Sequence, residues 1–203
     1  MLFRSYPHKE RVEDNWAYYT AVGFKRLKEL LEQEGKRAKE IGIVGIGSGV
    51  EGIAAARIFR PDLRRLVVSD IDYDVLNGSE DNIRNSTRGS GVEVIAVKGS
   101  FAEPMAQAGY KLDLIHGNIP NLPSTGSEDL TQGAEKGTFL PSSLYEGYSP
   151  PDKFVGWAMG AQYAYIQSAK KALAEGGSVV TEFGGRVPLE LVKELFKANG
   201  LSM

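Results

Sequence analysis

The stretch that decides the fold is IGIVGIGSGVEGIAAARIF, residues 41–59, in which an apolar run passes into a glycine-rich loop and then into a helical pattern. Gly45, Gly47 and Gly49 stand at every second position, and Gly52 follows as the pattern turns helical. Glycine adopts positive φ readily and lets a ligand approach the backbone. Because a simple turn needs only one or two glycines, this number indicates a nucleotide-binding loop.

Short apolar runs alternate with helical patterns along the rest of the chain. Strands are predicted at 41–46, 65–70, 92–97, 111–117 and 178–183, and helices at 13–34, 50–59, 72–85, 156–177 and 188–200. Apolar strands separated by helices are typical of crossover units, with a parallel sheet between two helical layers. The sequence therefore predicts an α/β, doubly wound, mostly parallel sheet.

The composition restricts the possible functions. The chain has 203 residues, no cysteine, and two histidines far apart in sequence, His8 and His116, which argues against disulfides, thiolate metal sites and a structural zinc. A formal net charge of −2 provides no general attraction for a phosphate backbone, so a nucleic-acid partner is disfavoured. We expect a cytoplasmic protein without a membrane segment, because neither a signal peptide nor a long apolar run is present.

The chain is predicted to have an N-terminal helical cover at 1–40 and a Rossmann-like domain at 41–203, with a long loop at about 120–154. Loops of this length are commonly lids or binding loops. The alternative is a mobile surface excursion, and a lid is favoured because leaving the aromatic and apolar side chains of this loop in water would be costly. Those side chains are Phe139, Leu140, Tyr145, Tyr148 and Phe154.

The N-terminal segment has two interpretations. Its aromatic and polar side chains could fold over the ligand cleft, or its helix could simply pack against the sheet edge. The side chains concerned are Tyr6, Arg11, Asn15, Trp16 and Tyr19.

The glycine loop alone does not identify the nucleotide. Residues 47–52 fit the pattern G-x-G-x-x-G, and Asp70 ends the next strand about twenty residues further on, where it could accept hydrogen bonds from a ribose. This combination also fits an NAD(P)-dependent oxidoreductase. Against that alternative, no Tyr-x-x-x-Lys or comparable group for hydride transfer is evident.

The end of the fourth strand distinguishes these possibilities. In DLIHGNIPNLP, residues 113–123, an apolar strand leads directly into Asn118-Ile119-Pro120-Asn121. This turn resembles the Asn-Pro-Pro-aromatic motif of class I S-adenosylmethionine-dependent methyltransferases, the group that holds the release-factor glutamine methyltransferases. It is more similar still to the methyltransferase part of plant methionine S-methyltransferase, where an Ile-Pro pair stands here and a Gly-Gly-Arg-Pro run follows the fifth strand. The later run reads Gly-Gly-Arg-Val-Pro at 184–188, and the resemblance covers about 41–201.

The resemblance implies a set of site residues. S-adenosyl-L-methionine would contact the glycine loop with its methionine part, Asp70 with its ribose, and Ile71 with its adenine. The full set of cofactor contacts is Gly45, Gly47, Gly49, Asp70, Ile71, Ser100, Phe101 and Asn118. The catalytic turn would be Asn118, Ile119 and Pro120, and substrate contacts would come from Asn121, Tyr145 and Tyr148.

Methyl transfer from a sulfonium is an in-line displacement, so the protein chiefly has to align the acceptor with the methyl group. An amine or amide acceptor needs its hydrogens held, which the side-chain carbonyl of Asn118 could do. A thioether needs only shape and an apolar wall. We therefore expect a nitrogen or sulfur acceptor on a small molecule or a protein side chain.

Three positions depart from the family pattern: Ile43 and Ser100 replace acidic residues, and Asn121 replaces an aromatic. They keep open a third interpretation, a module that binds the cofactor without catalysis. His116 is expected to be a packed, hydrogen-bonded residue rather than a base. The aromatic residues of the predicted long helix, Trp157, Tyr163 and Tyr165, are expected in the core.

Related methyltransferases continue into two further strands, whereas this chain ends at ANGLSM, where the sixth strand would begin. Two explanations are open. Either the natural protein is longer and the sheet here lacks its last two strands, or another copy covers the open edge in a homodimer, since exposed sheet edges tend to be paired or protected.

Overall fold

The computed structural model describes residues 11, 15–130, 138–185 and 187–203. Its helices are α1 (Trp16–Gln33), α2 (Val50–Ile58), α3 (Tyr73–Ser86), α4 (Glu103–Gln107), α5 (Asp152–Gly156), α6 (Gly160–Ala172) and α7 (Leu189–Ala198). Its strands are β1 (Glu40–Val44), β2 (Arg65–Asp70), β3 (Glu93–Lys98), β4 (Leu112–Gly117), β5 (Leu122–Pro123), β6 (Phe139–Leu140) and β7 (Leu173–Thr181). Tyr6 and Arg186, which the sequence predictions name, lie outside the described residues.

Five parallel strands form the main sheet in the order β3-β2-β1-β4-β7. β1 lies at the point where the winding reverses, because it pairs with β2 on one side and with β4 on the other. In such sheets the crevice outside the carboxyl ends of the strands is the usual ligand site. The predicted α/β, doubly wound architecture is confirmed.

Helices cover both faces of the sheet, and each layer has its own apolar core. On one face α1, α2 and α3 pack through Phe24, Ala55, Ala56, Leu76 and Ile83. On the other, α4, α6 and α7 pack through Met105, Tyr165, Ile166, Val192 and Leu195. A sheet covered on both sides explains why its strands read as continuous apolar runs.

The long helix predicted at 156–177 is wrong at both ends. Ala158 has φ +55°, which interrupts helical geometry between α5 and α6. The helix restarts at Gly160, where an added Cβ would lie 2.8 Å from Cε2 of Tyr145. This tertiary contact, which local periodicity does not report, requires glycine at the start of α6.

At its other end α6 stops at Ala172, and the pair Gly176-Gly177 lies inside β7 instead of closing a helix. An added Cβ on Gly177 would lie 2.9 Å from the carbonyl oxygen of Leu112, so this glycine allows a close approach to β4. The pairing of β4 with β7 shifts register next to it, between Leu112 and Leu114. Glycine within a strand is typical of such an irregularity.

The predicted loop at 120–154 contains short elements and returns to the core. β5 pairs in parallel with β6, and two 3-10 turns follow at Ser142–Leu144 and Glu146–Tyr148. Leu140, Tyr145 and Phe154 are buried, and Phe139 and Tyr148 are half-buried. These side chains are thus largely removed from solvent, while a lid function stays a prediction.

α1 packs on the sheet through its central part. Phe24 is fully buried and makes edge contacts with the rings of Phe59 and His116. Lys28 Nζ donates hydrogen bonds to the carbonyl oxygens of Ile58 and Arg60, at the end of α2. The structure therefore supports the packed interpretation for the middle of α1.

Within the described ranges, no helix combines the length and the apolar character needed to traverse a bilayer.

The tight packing at the end of β4 can be tested by a substitution at Gly117. An added Cβ there would lie 2.7 Å from Cε2 of Tyr165, whose hydroxyl lies 2.9 Å from the carbonyl oxygens of both Ile115 and Val180. Since the ring is fully buried and tied at its tip, we expect Gly117→Ala to lower the free energy of unfolding by about 1–3 kcal/mol.

Urea denaturation is the measurement, with Gly23→Ala as the control. Gly23 lies inside α1 with nothing within 4 Å of its added Cβ, so this change should stabilise the protein by up to about 1 kcal/mol. Equal stability of the Gly117→Ala variant and the parent would contradict the packing described.

Candidate functional site

The glycine loop joins β1 to α2 at the carboxyl edge of the sheet. Gly45, Gly47 and Gly49 have φ of +66°, +54° and +86°, a region that favours glycine. The amides of Gly45 and Ile46 donate to the carbonyl oxygen of Ser69, at 2.9 and 3.1 Å, which fixes the loop to β2. The loop is therefore anchored at its base and open at Gly47, which is exposed.

The four glycines of the loop have different neighbours. An added Cβ on Gly49 would lie 3.0 Å from the carbonyl oxygen of Ser79, and one on Gly52 would lie 2.7 Å from Cδ1 of Ile83. These two positions let α2 pack closely against α3. Gly47, in contrast, has only the carbonyl oxygen of Gly45 nearby, at 4.0 Å. The open space at its Cβ position fits a backbone that a ligand approaches.

Asp70 lies at the end of β2, beside the loop. Its Oδ2 accepts a hydrogen bond from the amide of Gly47 at 3.3 Å, and its Oδ1 accepts one from the amide of Asp72 at 3.0 Å. The carboxylate is half-buried, and Ile71 next to it is 49% exposed. A carboxylate and an open apolar side chain in succession fit the predicted contacts with ribose and adenine.

Ser100 and Phe101 follow β3 at the same edge. Phe101 has φ +50°, and its carbonyl oxygen accepts a hydrogen bond from the hydroxyl of buried Ser69 at 3.0 Å. Its ring is 5% exposed and packs edge-on against Tyr148. Phe101 is thus part of the core beneath the edge, whereas Ser100 is half-buried at the rim. Their contact with adenine stays a prediction.

The turn after β4 comes close to the glycine loop. An added Cβ on Gly45 would lie 3.3 Å from Cγ2 of Ile119 and 3.9 Å from the carbonyl oxygen of Asn118. Pro120 and Asn121 continue the turn and are half-buried. The structure therefore brings the predicted cofactor loop and the predicted catalytic turn together.

The two tyrosines predicted to contact substrate lie in a different environment. Tyr145 is 6% exposed and packs on α6, so little of its surface is accessible. Tyr148 donates a hydrogen bond from its hydroxyl to Glu103 Oε1 at 2.8 Å. These contacts tie the loop to α4 and α6, and a role in substrate binding stays a prediction for both residues.

A polar cluster that the sequence analysis missed lies beside Asn118. Glu51 Oε1 accepts a hydrogen bond from Asn118 Nδ2 at 3.2 Å, and Glu51 Oε2 lies 3.1 Å from Nε2 of His116. Thr20 donates from its hydroxyl to Glu182 Oε1 and lies 3.4 Å from Glu51 Oε1. The cluster thus joins α1, α2, β4 and the end of β7.

His116 is fully buried, so it is the packed, hydrogen-bonded residue that the sequence predicts, and it also belongs to this cluster. One signal could have revealed the cluster. Glu51 is in the first turn of α2, and Glu182 directly follows the last strand, so the sheet edge brings both acidic residues next to the end of β4.

The cluster contains two carboxyl groups, those of Glu51 and Glu182, that are largely shielded from solvent. Burial raises the pKa of Glu182, and the neighbouring charge of Glu51 acts in the same direction. None of the hydrogen bonds or ion pairs of the described residues joins Glu51 or Glu182 to a lysine or an arginine. Ligand atoms of Glu51, His116 and Glu182 all lie within 4.8 Å of one another, so these side chains could hold a metal ion.

A cavity of about 420 Å³ opens next to the cluster. Its walls come from the first turns of α1 and from the segment after β7. They consist of Trp16, Tyr19, Glu182, Phe183 and Gly185. Trp16 and Tyr19 are each 54% exposed, so the first turns of α1 face open space. Aromatic side chains and one carboxylate are thus the groups that line this largely open cavity.

Comparisons with known proteins establish the fold but not a family. No family model matches the chain, and no curated protein matches it. Among solved structures, a candidate O-methyltransferase of Nostoc punctiforme is similar with a TM-score of 0.53 at 15% identity, covering 93% of this chain and 54% of that one. This chain thus spans about half the length of that protein. At this identity the similarity concerns the fold alone.

Two further structures have TM-scores of 0.48. One is precorrin 8w decarboxylase of Methanobacterium thermoautotrophicum, at 14% identity, covering 96% of this chain and 75% of that one. The other is the SAH-bound methyltransferase PaMTH1 of Podospora anserina, at 11% identity, covering 95% of this chain and 66% of that one.

The different neighbours of the loop glycines can be tested by stability. Gly47→Ala and Gly49→Ala each place a side chain at positive φ, which costs about 1–2 kcal/mol. Gly49→Ala should cost at least about 1 kcal/mol more, because its Cβ also meets the Ser79 carbonyl oxygen 3.0 Å away. Thermal unfolding of both variants measures the difference. Equal losses would show that α2 and α3 do not pack as described.

The tie between the loop and α4 predicts a pH dependence. Burial opposes ionisation of Glu103, but hydrogen bonds from Lys171 and Tyr148 outweigh it and lower the pKa from 4.5. The carboxylate therefore contributes stability above pH 4.5, and this contribution is lost as the pH falls through the lower folded-state pKa.

We expect Glu103→Gln to cost about 0.5–1 kcal/mol of unfolding free energy near pH 7. The difference from the parent should shrink in urea titrations below pH 4.5. Glu194→Gln is the control, since its pair with Lys153 has side chains that are 53% and 55% exposed and should contribute less. A Glu103→Gln difference that is constant with pH would overturn the prediction.

Proposed function

We propose that this protein is an S-adenosylmethionine-dependent methyltransferase. The observation that carries the proposal is the arrangement at the winding reversal: the space where a side chain of exposed Gly47 would lie is open, Asp70 accepts a hydrogen bond from its amide, and the Asn118 turn reaches the same loop. The fold shared with the candidate O-methyltransferase of Nostoc punctiforme supports it.

The residues at this edge fit the cofactor. A side chain at Gly47 would occupy the space above the loop, where glycine leaves the backbone open to a ligand. The Asp70 carboxylate would accept hydrogen bonds from the ribose hydroxyls, and exposed Ile71 would cover one face of the adenine. When bound, S-adenosylmethionine supplies an electrophilic methyl group on its sulfonium.

The chain's own contribution to the reaction is alignment. Gly45 lets the Asn118 turn lie against the glycine loop, so an acceptor held at the turn would be next to the cofactor site. The Asn118 amide is itself fixed by Glu51 at 3.2 Å, which orients its side-chain oxygen. That oxygen would accept a hydrogen bond from an amine or amide acceptor.

We further propose that the acceptor is a small molecule or a protein side chain that offers nitrogen or sulfur from the cavity beside Trp16 and Tyr19. Aromatic walls suit a planar or cationic group. The carboxyl group of Glu182 forms part of the same wall, where it would face a nitrogen acceptor. A thioether acceptor would need only the apolar wall.

The remaining expectations stay proposals. A net charge of −2 disfavours nucleic acid as the acceptor, and we propose a cytoplasmic location. A homodimer would cover the open side of β7, which pairs only with β4 among the described strands and is half-buried from Gly177 to Thr181.

Calorimetric titration with S-adenosylhomocysteine tests the cofactor site. The parent should bind with a dissociation constant in the micromolar range, and Gly47→Ala should weaken binding at least about tenfold, because its methyl group enters the cleft. Gly35→Ala is the matched control: Gly35 has φ +70° with nothing within 4 Å, and lies at the far end of α1. Absence of heat with the parent would exclude the proposal.

The same samples decide between the alternatives. Enhanced NADH fluorescence without S-adenosylhomocysteine binding would indicate an oxidoreductase. Tight cofactor binding without transfer of labelled methyl to any component of a metabolite extract would indicate a non-catalytic module. For a methyltransferase, mass spectrometry should find a labelled product with the parent and at least about tenfold less with Asn118→Ala.

A further inference from the structure

The polar cluster beside Asn118 brings three side chains with metal-ligand atoms close together. Glu51 comes from α2, His116 from β4 and Glu182 from the segment after β7. Their ligand atoms converge to within 4.8 Å of one another. The side chain of His116 is fully buried and that of Glu51 is 12% exposed. Three elements thus direct ligand-type groups at one point that is largely shielded from water.

Neutral donors hold the two carboxylates in place. Thr20 donates to Oε1 of Glu182, and Asn118 donates to Oε1 of Glu51. The remaining oxygen of Glu51, Oε2, faces Nε2 of His116 at 3.1 Å. The remaining oxygen of Glu182 is shielded from solvent and has no hydrogen-bond partner. Outer hydrogen bonds of this kind orient metal ligands and leave one oxygen of each carboxylate for the ion, whereas Nδ1 of His116 is buried without a hydrogen-bond partner.

The charge of the cluster also calls for a cation. Glu51 and Glu182 interact with Thr20, His116 and Asn118, and none of these partners carries a permanent positive charge. Burying carboxylates without a compensating charge is costly. A divalent ion would offset both charges with the imidazole in its neutral form.

We propose that Glu51, His116 and Glu182 form a binding site for a divalent transition-metal ion. Two carboxylate oxygens and one imidazole nitrogen suit zinc, manganese, iron(II) or cobalt, whereas calcium and magnesium prefer oxygen ligands alone. The ion would join α2, β4 and the segment after β7. Since Glu182 also forms part of the cavity wall, the ion would lie next to the space where the acceptor is proposed to bind.

The proposal does not depend on the cofactor assignment, so the two can fail separately. The protein is dialysed against a chelator and then titrated with Co²⁺ at pH 7.5, with visible absorption as the readout. Plasma mass spectrometry then counts the bound metal after a second dialysis. We expect one equivalent of Co²⁺ with a visible band of an imidazole and carboxylate site, and a raised melting temperature because the folded state binds the ion.

Glu182→Gln removes one ligand while keeping the shape of the side chain. We expect it to bind Co²⁺ at least about tenfold more weakly, which follows the range for lost metal-site interactions. Glu103→Gln is the matched control, because it removes a carboxylate on the other face of the sheet. Circular dichroism checks that both variants fold, and Glu51→Gln provides a second ligand variant.

Three outcomes would overturn the metal site. The first is that the parent protein binds less than about one tenth of an equivalent of Co²⁺ or Zn²⁺, even when the metal concentration is tenfold above that used for the variants. The second is unchanged affinity in both Glu182→Gln and Glu51→Gln. The third is a preference for Ca²⁺ over Co²⁺. Each of these outcomes would leave the S-adenosylhomocysteine titration unaffected, so the proposed cofactor site would be judged separately.

Discussion

The parallel pairing of β1 between β2 and β4 is the constraint on which the rest of the structure depends. It brings the ends of these strands to one edge, so that residues distant in sequence, such as Gly47, Asp70 and Asn118, meet there. The pairing also explains the distribution of glycines along this edge. Gly45 admits the turn after β4, Gly49 and Gly52 admit α3, and Gly117 admits the ring of Tyr165.

The same edge brings together two kinds of chemistry. On the β2 side the loop and Asp70 offer open backbone and a carboxylate, which suit a nucleoside. On the β7 side Glu51, His116 and Glu182 form a shielded acidic cluster next to an aromatic cavity. Asn118 lies between them and is hydrogen-bonded to Glu51. The Asn118 turn is therefore close to the glycine loop on one side and to the acidic cluster on the other.

The local parts of the fold were predictable from the sequence. The strand predicted at 65–70 matches β2, and those at 111–117 and 92–97 match β4 and β3 to within one residue at each end, because buried apolar runs mark such strands directly. The helix predicted at 156–177 was not, because the positive φ of Ala158 and the contact between Gly160 and Tyr145 are tertiary features. The residues of the candidate site also fall into a predictable group and a group that only the fold reveals. The glycine loop and the Asn118 turn are continuous motifs, whereas Glu51 and Glu182 meet only through the sheet.

The two halves of α1 have separate roles, and this has a consequence for how the protein could change. Phe24 and Lys28 fasten the helix to the sheet and to the end of α2, while Trp16 and Tyr19 project from its first turns with about half of their surface in solvent. Substitutions in those first turns would alter the wall of the cavity with little effect on folding. If this cavity binds the acceptor, as proposed, its selectivity could be changed by substitutions in these turns with little loss of stability.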